Sequence, residues 1–316
     1  MNHVFCGVDL GGTSVNIGLV TPEGEIVVSR NLPSQVEKGT EWVVGRIVTV
    51  IQEIAENSDP PLRIRGVGVG VAGLVNARSG VLKEATNFPG WRNVPLAMLL
   101  SRRLRLPVFM DNDANVAALG EYSFGAGRGY AHMLMVTLGT GVGGGLILDG
   151  MIYRGADGAA GEFGHMTIDK NGVLCACGRR GCVEAYVGTR GIVREALERR
   201  GQFPESPLQR YDAAELTPKL IYEHAVRGDQ ASIAVFRAVG EYLGIALGNV
   251  ANLLNIQLVV IGGGVALAGD LLLESARLKL RESALNWGDN DVLVALAQLG
   301  ERAGVVGAAS LAMSTL

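Results

Sequence analysis

The sequence His132-Met-Leu-Met-Val-Thr-Leu-Gly-Thr-Gly-Val-Gly-Gly-Gly-Leu-Ile-Leu148 joins two apolar runs through a glycine-rich turn. Residues 132–137 are predicted to form one strand and residues 145–148 a second, with the turn at 138–144 between them. Asp149-Gly150 then favours a tight hairpin turn into a third short strand at 151–153. The segment therefore predicts the plan strand, glycine turn, strand, turn, strand.

The same plan occurs near the N-terminus, where residues 4–8, 15–20 and 25–30 are predicted strands. Asp9-Leu-Gly-Gly-Thr13 separates the first two strands, and Thr21-Pro-Glu-Gly24 separates the second pair. We interpret the two segments as a duplicated domain core, although two glycine-rich hairpins can also resemble each other by chance. Strands alternate with helical patterns along the rest of the chain, which indicates an α/β architecture.

Other predicted elements follow from periodicity and turn residues. In Arg65-Gly-Val-Gly-Val-Gly-Val-Ala-Gly73, valines alternate with glycines, which predicts a buried strand that admits the close packing of another element. The remaining elements are a helix with Val43, Ile47, Ile51 and Ile54 on one face, a hairpin at 74–82, a helix at 96–104, a strand at 108–110, a helix to about 122, helical segments at 184–200, 213–226 and 229–254, a strand at 257–261, a helix from about 270, a strand at 292–296 and a terminal helix from 304.

Composition limits the function classes. The chain has 316 residues, enough for two domains, and a net charge of −3, which gives no electrostatic case for a nucleic acid or an anionic membrane as partner. The first residues lack the basic and apolar regions of a signal peptide, so a cytoplasmic location is expected. The uncharged run at 242–269 contains Asn249, Asn252, Asn255 and Gln257, and we therefore do not interpret it as a membrane span.

Three of the four cysteines and one of the four histidines fall in one short stretch, at His165, Cys175, Cys177 and Cys182. One histidine and three cysteines are a complete ligand set for tetrahedral zinc, and the glycine-rich spacing suits a metal knuckle at 165–182. A reduced cysteine cluster or a Cys-x-Cys redox pair is the alternative. A zinc-bound histidine has a second ring nitrogen free, which a substrate hydroxyl can contact.

Two glutamates, Glu162 and Glu184, flank this stretch and are not soft metal ligands. Carboxylates accept charge-assisted hydrogen bonds from hydroxyl groups, and such bonds suit a polyol such as a sugar. The two glutamates are therefore predicted to bind a substrate near the metal.

Three glycine-rich turns follow predicted strands, at 9–13, 139–145 and 262–264. Backbone N–H groups at glycine can approach phosphate oxygens, and Thr13 and Thr140 add hydroxyl donors. A simple tight turn is the favoured interpretation of any one of them alone, but the three together favour a nucleotide held between two lobes. Asp9 ends a strand beside the first turn, where it can hold Mg²⁺ or merely order its own turn.

Asp111-Asn112-Asp113 stands at the C-terminal end of a predicted strand and before a predicted helix. Ligands of α/β proteins collect at that end of the strands. The helix N-terminus would stabilise Asp113 as an anion that accepts a hydroxyl proton. The alternative is that Asp111 or Asp113 only caps the helix.

Taken together, these motifs resemble the ROK family of sugar kinases and repressors, and within it the bacterial glucokinases. The resemblance covers nearly the whole chain. It rests on Asp9-Leu-Gly-Gly-Thr13, Asn112-Asp-Ala-Asn115, Gly120-Glu-Tyr-Ser-Phe-Gly-Ala-Gly127, Leu138-Gly-Thr-Gly-Val-Gly-Gly144, Gly161-Glu-Phe-Gly-His165, Cys175-Ala-Cys-Gly-Arg-Arg-Gly-Cys182 with Glu184, and Val260-Ile-Gly-Gly-Gly264.

The resemblance implies an actin-like, ribonuclease-H-like ATPase fold with two α/β lobes around a cleft. A small lobe is expected at 1–112, with the C-terminal helix at about 304–316 packed back on it, and a large lobe at 113–303. The implied activity is transfer of the ATP γ-phosphate to the 6-hydroxyl of glucose, giving glucose 6-phosphate. The implied assembly is a homodimer or homotetramer.

The resemblance also implies individual roles, with Asp113 as the catalytic base. The sugar would be held by Asn112, Asp113, Glu162, His165 and Glu184, with Asn87 and Gly73 in addition. ATP would lie on Gly11, Gly12, Thr13, Gly139, Thr140, Gly141, Gly262, Gly263 and Gly264. Mg²⁺ would lie near Asp9, and a structural Zn²⁺ would be held by His165, Cys175, Cys177 and Cys182.

Ser14, Asp111 and Ala176 stand where the family often has Lys, Glu and Gly. None is an expected ligand, so these departures affect only the choice among sugars. N-acetylmannosamine, N-acetylglucosamine, fructose and allose are alternative substrates. A sugar-sensing repressor would be expected to carry a DNA-binding module before the first glycine turn, and a non-catalytic sugar-binding protein is disfavoured by the base and phosphate turns.

Overall fold

The structure is a computed structural model that describes residues 3–285 and 291–316. Within these residues the chain forms thirteen strands and nine α-helices. The strands are β1 (His3–Leu10), β2 (Ser14–Val20), β3 (Ile26–Pro33), β4 (Arg63–Val71), β5 (Leu74–Asn76), β6 (Val81–Glu84), β7 (Arg92–Val94), β8 (Val108–Asn112), β9 (Met133–Leu138), β10 (Val142–Leu148), β11 (Met151–Ile152), β12 (Leu258–Gly262) and β13 (Leu293–Leu296). The helices are α1 (Thr40–Glu56), α2 (Leu96–Leu104), α3 (Asp113–Phe124), α4 (Glu184–Val187), α5 (Thr189–Arg200), α6 (Pro218–Val226), α7 (Gln230–Leu254), α8 (Asp270–Ser283) and α9 (Ala303–Thr315).

The first sheet has the strand order β3-β2-β1-β4-β8. β2 pairs antiparallel with both β1 and β3, whereas β1, β4 and β8 run parallel. Val4, Cys6, Val8 and Leu10 of β1 are fully buried, as expected for a strand paired on both sides. The predicted apolar face of α1 is buried, and its side chains join the core of this sheet.

The second sheet has the order β11-β10-β9-β12-β13, in which β9, β12 and β13 run parallel and β10 pairs antiparallel with β11. Each sheet thus contains three strands that are consecutive in the chain, followed by two parallel strands. Two hairpins that resembled each other by chance would not share this strand order. The predicted duplication of the core is therefore confirmed by the topology.

The chain divides into two compact units. Of the described residues, the first unit takes those in Met1–Ala131, Gly145–Gly161 and Ala297–Leu316, and the second takes those in His132–Gly144 and Glu162–Leu296. The C-terminal segment belongs to the first unit because α9 packs against β1 and β4. The lobe boundary at residue 112 stays a prediction.

Glycines let α9 approach the first sheet without side chains between them. A Cβ built on Gly68 of β4 would lie 1.7 Å from the carbonyl oxygen of Ala308, and one built on Gly7 of β1 would lie 1.9 Å from that of Val305. Real Cβ atoms do not approach an oxygen so closely, so a side chain at either position would force the α9 backbone to move. The close packing predicted from the alternating glycines of strand 65–73 is confirmed, and α9 is the element that packs there.

α7 is the one described helix that is long and apolar enough to cross a membrane by length and composition, but 67% of its apolar window is buried inside the protein. α5 and α8 pack along it. Its glycines bring α8 into backbone contact, since a Cβ on Gly240 would lie 2.4 Å from the carbonyl oxygen of Leu272. A buried core helix accounts for both the length and the composition of α7.

Two elements differ from the expectations. The hairpin predicted at 74–82 is present as β5 and β6, but β7 adds a third strand that was not predicted. The helix predicted from residue 213 begins only at Pro218, with Thr217 accepting the Leu220 N–H as its cap. Proline favours the first position of a helix because its missing N–H is not needed there.

We predict that Gly68→Ala destabilises the protein by about 1–3 kcal/mol, because the new methyl group must displace the α9 backbone. Gly45→Ala in α1 is the matched control, because the nearest atom to its built Cβ is 3.6 Å away, at Arg103 Nη1. The control should gain roughly 0.5–1 kcal/mol from better helix propensity. Urea denaturation of both variants measures the difference, and equal stabilities would contradict the close packing of α9.

Candidate functional site

The corner between β8 and α3 presents Asn112 and Asp113 at the carboxyl end of a parallel strand. Asn112 is the capping residue: its Oδ1 accepts the N–H groups of Ala114 at 2.9 Å and Asn115 at 3.4 Å. The alternative that Asp111 or Asp113 caps the helix is therefore wrong. Asn112 Nδ2 donates to the carbonyl oxygen of Gly73 at 3.1 Å, which leaves the second hydrogen of this amide for another acceptor.

Asp113 begins α3 and is half-buried. Burial raises the pKa of its carboxyl group above the usual 3.8, against the lowering effect of hydrogen bonds from the Ala114 N–H and the Asn112 side chain. Its Oδ1 accepts the Ala114 N–H at 2.9 Å. A carboxylate with a raised pKa is a stronger base than an ordinary aspartate and is suited to accept a hydroxyl proton.

Asp9 is the second acid of this region. Burial raises the pKa of Asp9, and the negative charge of Asp113 raises it further, while a hydrogen bond from Asn16 Nδ2 at 3.4 Å lowers it. Its Oδ2 lies against the first turn of α9, where a Cβ on Gly304 would be 2.5 Å away. Two half-buried carboxylates that repel each other form a site where a cation would relieve the repulsion.

The first glycine turn packs against the loop that carries Asn87. A Cβ built on Gly12 would lie 2.9 Å from the Asn87 Cβ, and Ser34 Oγ donates to the Gly12 carbonyl oxygen at 2.7 Å. Gly73 has φ 149° and faces the Glu84 carbonyl oxygen, so no larger residue fits there. The structure thus brings Asn87 to the first turn, and Gly73 to Asn112, within the first unit.

The histidine and the three cysteines of the knuckle converge in the second unit. Their donor atoms all lie within 4.8 Å of one another. Cys177 Sγ and Cys182 Sγ are 3.7 Å apart, and Cys175 Sγ lies 4.0 Å from His165 Nδ1. Two sulfurs bound to one tetrahedral zinc would be roughly 3.8 Å apart. The four residues can therefore hold a metal ion, with Nδ1 as the ring nitrogen on the metal side.

Glu184 contacts both the knuckle and the second glycine turn. Its Oε2 accepts the Val142 N–H at 3.1 Å, and its Oε1 lies 3.5 Å from Cys175 Sγ. Gly141 allows this contact, since a Cβ there would lie 2.6 Å from Glu184 Oε2. Glu162, by contrast, is exposed, and its carbonyl oxygen accepts the N–H of His165 at 3.0 Å.

The second and third glycine turns lie together. Gly263 has φ 86°, and a Cβ on it would lie 2.3 Å from the carbonyl oxygen of Leu138. Both Thr189 donors, N–H and Oγ1, bond the Gly139 carbonyl oxygen at 3.0 Å. Beside these turns is a cavity of about 480 Å³, lined by Gly139, Thr140, Thr189, Thr217, Pro218, Lys219, Tyr222, Glu223, Phe236, Gly264, Val265, Leu267 and Ala268.

Comparison with known proteins gives the family. The family model described as "ROK family" matches residues 5–315. The chain belongs to the ROK family. The glucokinase of Thermotoga maritima is 36% identical over 96% of each chain. A ROK family glucokinase from Streptomyces griseus, solved in complex with glucose and AMPPNP, has a TM-score of 0.80 at 36% identity over 98% of this chain and 99% of that one. A putative xylose repressor from Caldicellulosiruptor is 33% identical over 99% of this chain and 79% of its own length.

Membership of the ROK family confirms the resemblance stated from the motifs, and with it the actin-like ATPase fold. Asp111 stands where the family often has Glu. In this structure its carboxylate is buried and forms an ion pair with Arg154. The expected site residues fall into two groups, one in each unit. The first contains Asp9, Gly11, Gly12, Thr13, Gly73, Asn87, Asn112 and Asp113; the second contains Gly139, Thr140, Gly141, Glu162, His165, Cys175, Cys177, Cys182, Glu184, Gly262, Gly263 and Gly264.

Sequence reasoning predicted Gly139, Thr140 and Gly264 in the lining of this cavity but missed the walls that α6 and α7 contribute. Tyr222 lies on α6 and Phe236 on α7. Along each helix, their positions follow the same periodicity as residues that pack in a core. Thr217 had a local signal, because Thr-Pro marks a helix start. That signal indicates a cap and gives no hint of a ligand.

Proposed function

We propose that this ROK protein is an ATP-dependent glucokinase that phosphorylates the 6-hydroxyl of glucose. The O6 oxygen attacks the γ-phosphorus in line, its proton passes to Asp113, and the bond from the γ-phosphorus to the β–γ bridging oxygen breaks to release ADP. The observation that supports this most directly is the half-buried Asp113 at the start of α3, with a pKa raised by burial. Glucokinases that align over nearly their whole length support the activity.

Binding of glucose is assigned to Asn112, Asp113, Glu162, His165 and Glu184, with Asn87 and Gly73 in addition. Asn112 suits this role because its Oδ1 and one Nδ2 hydrogen already have partners. The remaining hydrogen can donate only in one direction, which orients a sugar hydroxyl. Gly73 would contribute by holding Asn112 through its carbonyl oxygen.

ATP is assigned to the three glycine turns and to the 480 Å³ cavity beside Gly139 and Gly264. Cavities of about 300–1,000 Å³ with apolar walls are typical of small-molecule sites. Tyr222, Phe236 and Leu267 would contact the base, and the turns would present N–H groups to the phosphates. Thr189 supports the arrangement because its two hydrogen bonds fix the Gly139 carbonyl oxygen.

Mg²⁺ with ATP is assigned to the neighbourhood of Asp9, where it would neutralise phosphate charge and reduce the repulsion between Asp9 and Asp113.

A structural Zn²⁺ is assigned to His165, Cys175, Cys177 and Cys182. All four ligands are protein side chains, so no position is left for a catalytic water. The zinc would instead fix His165, whose Nε2 then faces the substrate.

The preferred hexose, the cytoplasmic location and the homodimer or homotetramer stay predictions. Turnover with ATP and Mg²⁺ across glucose, fructose, allose, N-acetylglucosamine and N-acetylmannosamine tests the substrate. The highest kcat/KM is expected for glucose. A higher value for another sugar would reassign the substrate, and sugar binding without turnover would favour a non-catalytic sugar-sensing protein.

We predict that Asp113→Asn lowers kcat for glucose by on the order of 10²–10⁴, because the base that accepts the hydroxyl proton is removed. Glucose should still raise the melting temperature of the variant, since the amide retains most of the contact surface. Asp212→Asn, at an exposed position, is the control and should keep the parent rate. A coupled ADP assay that found Asp113→Asn nearly as active as the parent would exclude Asp113 as the base.

The pH dependence has a definite sign. Asp113 must be ionised to accept a proton, and burial raises its pKa above 3.8. The kcat/KM for glucose should therefore fall as the pH is lowered through the raised pKa, with a midpoint above 3.8. The residual rate of Asp113→Asn should lack this acidic limb. A midpoint at or below that of an ordinary aspartate would contradict the assignment.

We predict that Cys177→Ser loses zinc and glucose affinity together, because the knuckle that fixes His165 and Glu184 loses a thiolate ligand. Metal content by mass spectrometry and the glucose-dependent shift in melting temperature measure the two effects. Cys6→Ala is the control, since Cys6 is buried in β1, outside the metal set. A zinc-free Cys177→Ser protein with normal glucose affinity would refute the positioning role of the metal.

A further inference from the structure

A buried ion pair is built into the corner that carries Asp113. Asp111 is 2% exposed, and Arg154 Nε donates to its Oδ2 at 2.6 Å. The other oxygen, Oδ1, accepts the Asn112 N–H at 2.8 Å and Asn115 Nδ2 at 2.9 Å. One carboxylate thus collects three donors from two segments of the chain.

Arg154 belongs to the loop that follows β11 and leads to Gly161. Its carbonyl oxygen accepts the Ala160 N–H at 3.2 Å, which closes the loop on itself. Gly158 has φ 93°, and a Cβ there would lie 2.5 Å from the Val75 carbonyl oxygen, so the loop also packs on β5. A single guanidinium therefore joins this loop to the end of β8.

We propose that Arg154 is a positioning residue of the kinase reaction: through Asp111 it holds the Asn112–Asp113 corner and the 154–160 loop in one fixed arrangement. The role rests on the proposed function, in which Asp113 accepts the proton and Asn112 binds the sugar. A displacement of about 1 Å in such a group costs on the order of 10²-fold in rate. Arginine suits the task because its planar guanidinium is always charged and restricts the direction of its bonds.

The ion pair has two separable effects. Removing Arg154 alone leaves Asp111 buried without its cation, which destabilises the fold. Removing both charges relieves that cost but does not restore the link between loop and corner. A residue that matters only for stability would show recovery of both stability and turnover in the double variant, whereas a positioning residue would show recovery of stability alone.

The test begins with Arg154→Met. We expect kcat for glucose to fall by about ten- to a hundred-fold, while the KM for ATP changes little. Arg199→Met is the matched control: Arg199 Nε also lies 2.6 Å from a buried carboxylate, that of Glu195, and its side chain is 31% exposed against 36% for Arg154. The control should lose stability and keep kcat and KM.

The double variant Arg154→Met/Asp111→Asn should regain melting temperature and keep the low kcat. Recovery of kcat together with stability would overturn the proposal. Hydrogen exchange provides a readout that needs no turnover: residues 112–116 and 155–161 should both exchange faster in Arg154→Met than in the parent. Unchanged exchange in either segment would also overturn the proposal. If the parent phosphorylates no hexose but exchange responds as expected, the proposed function fails and the link between loop and corner stands.

Discussion

The close approach of α9 to the first sheet and to α3 is the constraint on which the first unit depends. Backbone meets backbone where Gly7 and Gly68 face α9, and where Gly307 of α9 meets the Val116 carbonyl oxygen of α3. Gly304 lies in the first turn of the same helix and leaves room for the Asp9 carboxylate. Because one helix contacts the strand that carries Asp9 and the helix that begins with Asp113, the spacing of the two acids is set by glycine packing.

Asp113 has a raised pKa although it lies at a helix N-terminus. A helix start normally stabilises an anion and lowers its pKa, which would weaken a base. Here Asn112 takes the capping bonds, and Asp113 Oδ1 accepts the Ala114 N–H that it shares with Asn112. Hydrogen bonds from the Asp113 N–H and the Asn112 side chain also lower the pKa of Asp113. Burial then outweighs the remaining bonds, and the pKa of Asp113 rises. An amide that takes the capping bonds, beside a buried acid with a raised pKa, is an arrangement that suits the proposed proton transfer.

The sequence predicted features that are encoded within short segments, and it missed features that depend on contacts between residues far apart in the chain. Glycine turns, the cysteine spacing and the duplicated strand plan each occupy fewer than about thirty residues, within the range in which pattern and turn chemistry act. The Arg154–Asp111 pair joins residues 43 positions apart, and a surface arginine gives no sign of a buried partner. The cavity walls from α6 and α7 also give no signal in the sequence, because an apolar side chain beside a ligand has the same periodicity as one in a core. The choice of Asn112 as cap depended on side-chain geometry that composition alone leaves open.

Glu184 contacts both the cysteine knuckle and the second glycine turn, which bears on its proposed role in sugar binding. Its Oε2 is occupied by the Val142 N–H, while Oε1 faces Cys175. If Cys175 binds zinc as a thiolate, it no longer donates to Oε1, and that oxygen becomes free to accept a sugar hydroxyl. One carboxylate would then hold the turn through one oxygen and the sugar through the other. Under the proposed function, a zinc bound to Cys175 would influence both substrate sites. It would fix the helix start at Glu184, and the contact between Glu184 and Val142 would carry that constraint to the second glycine turn.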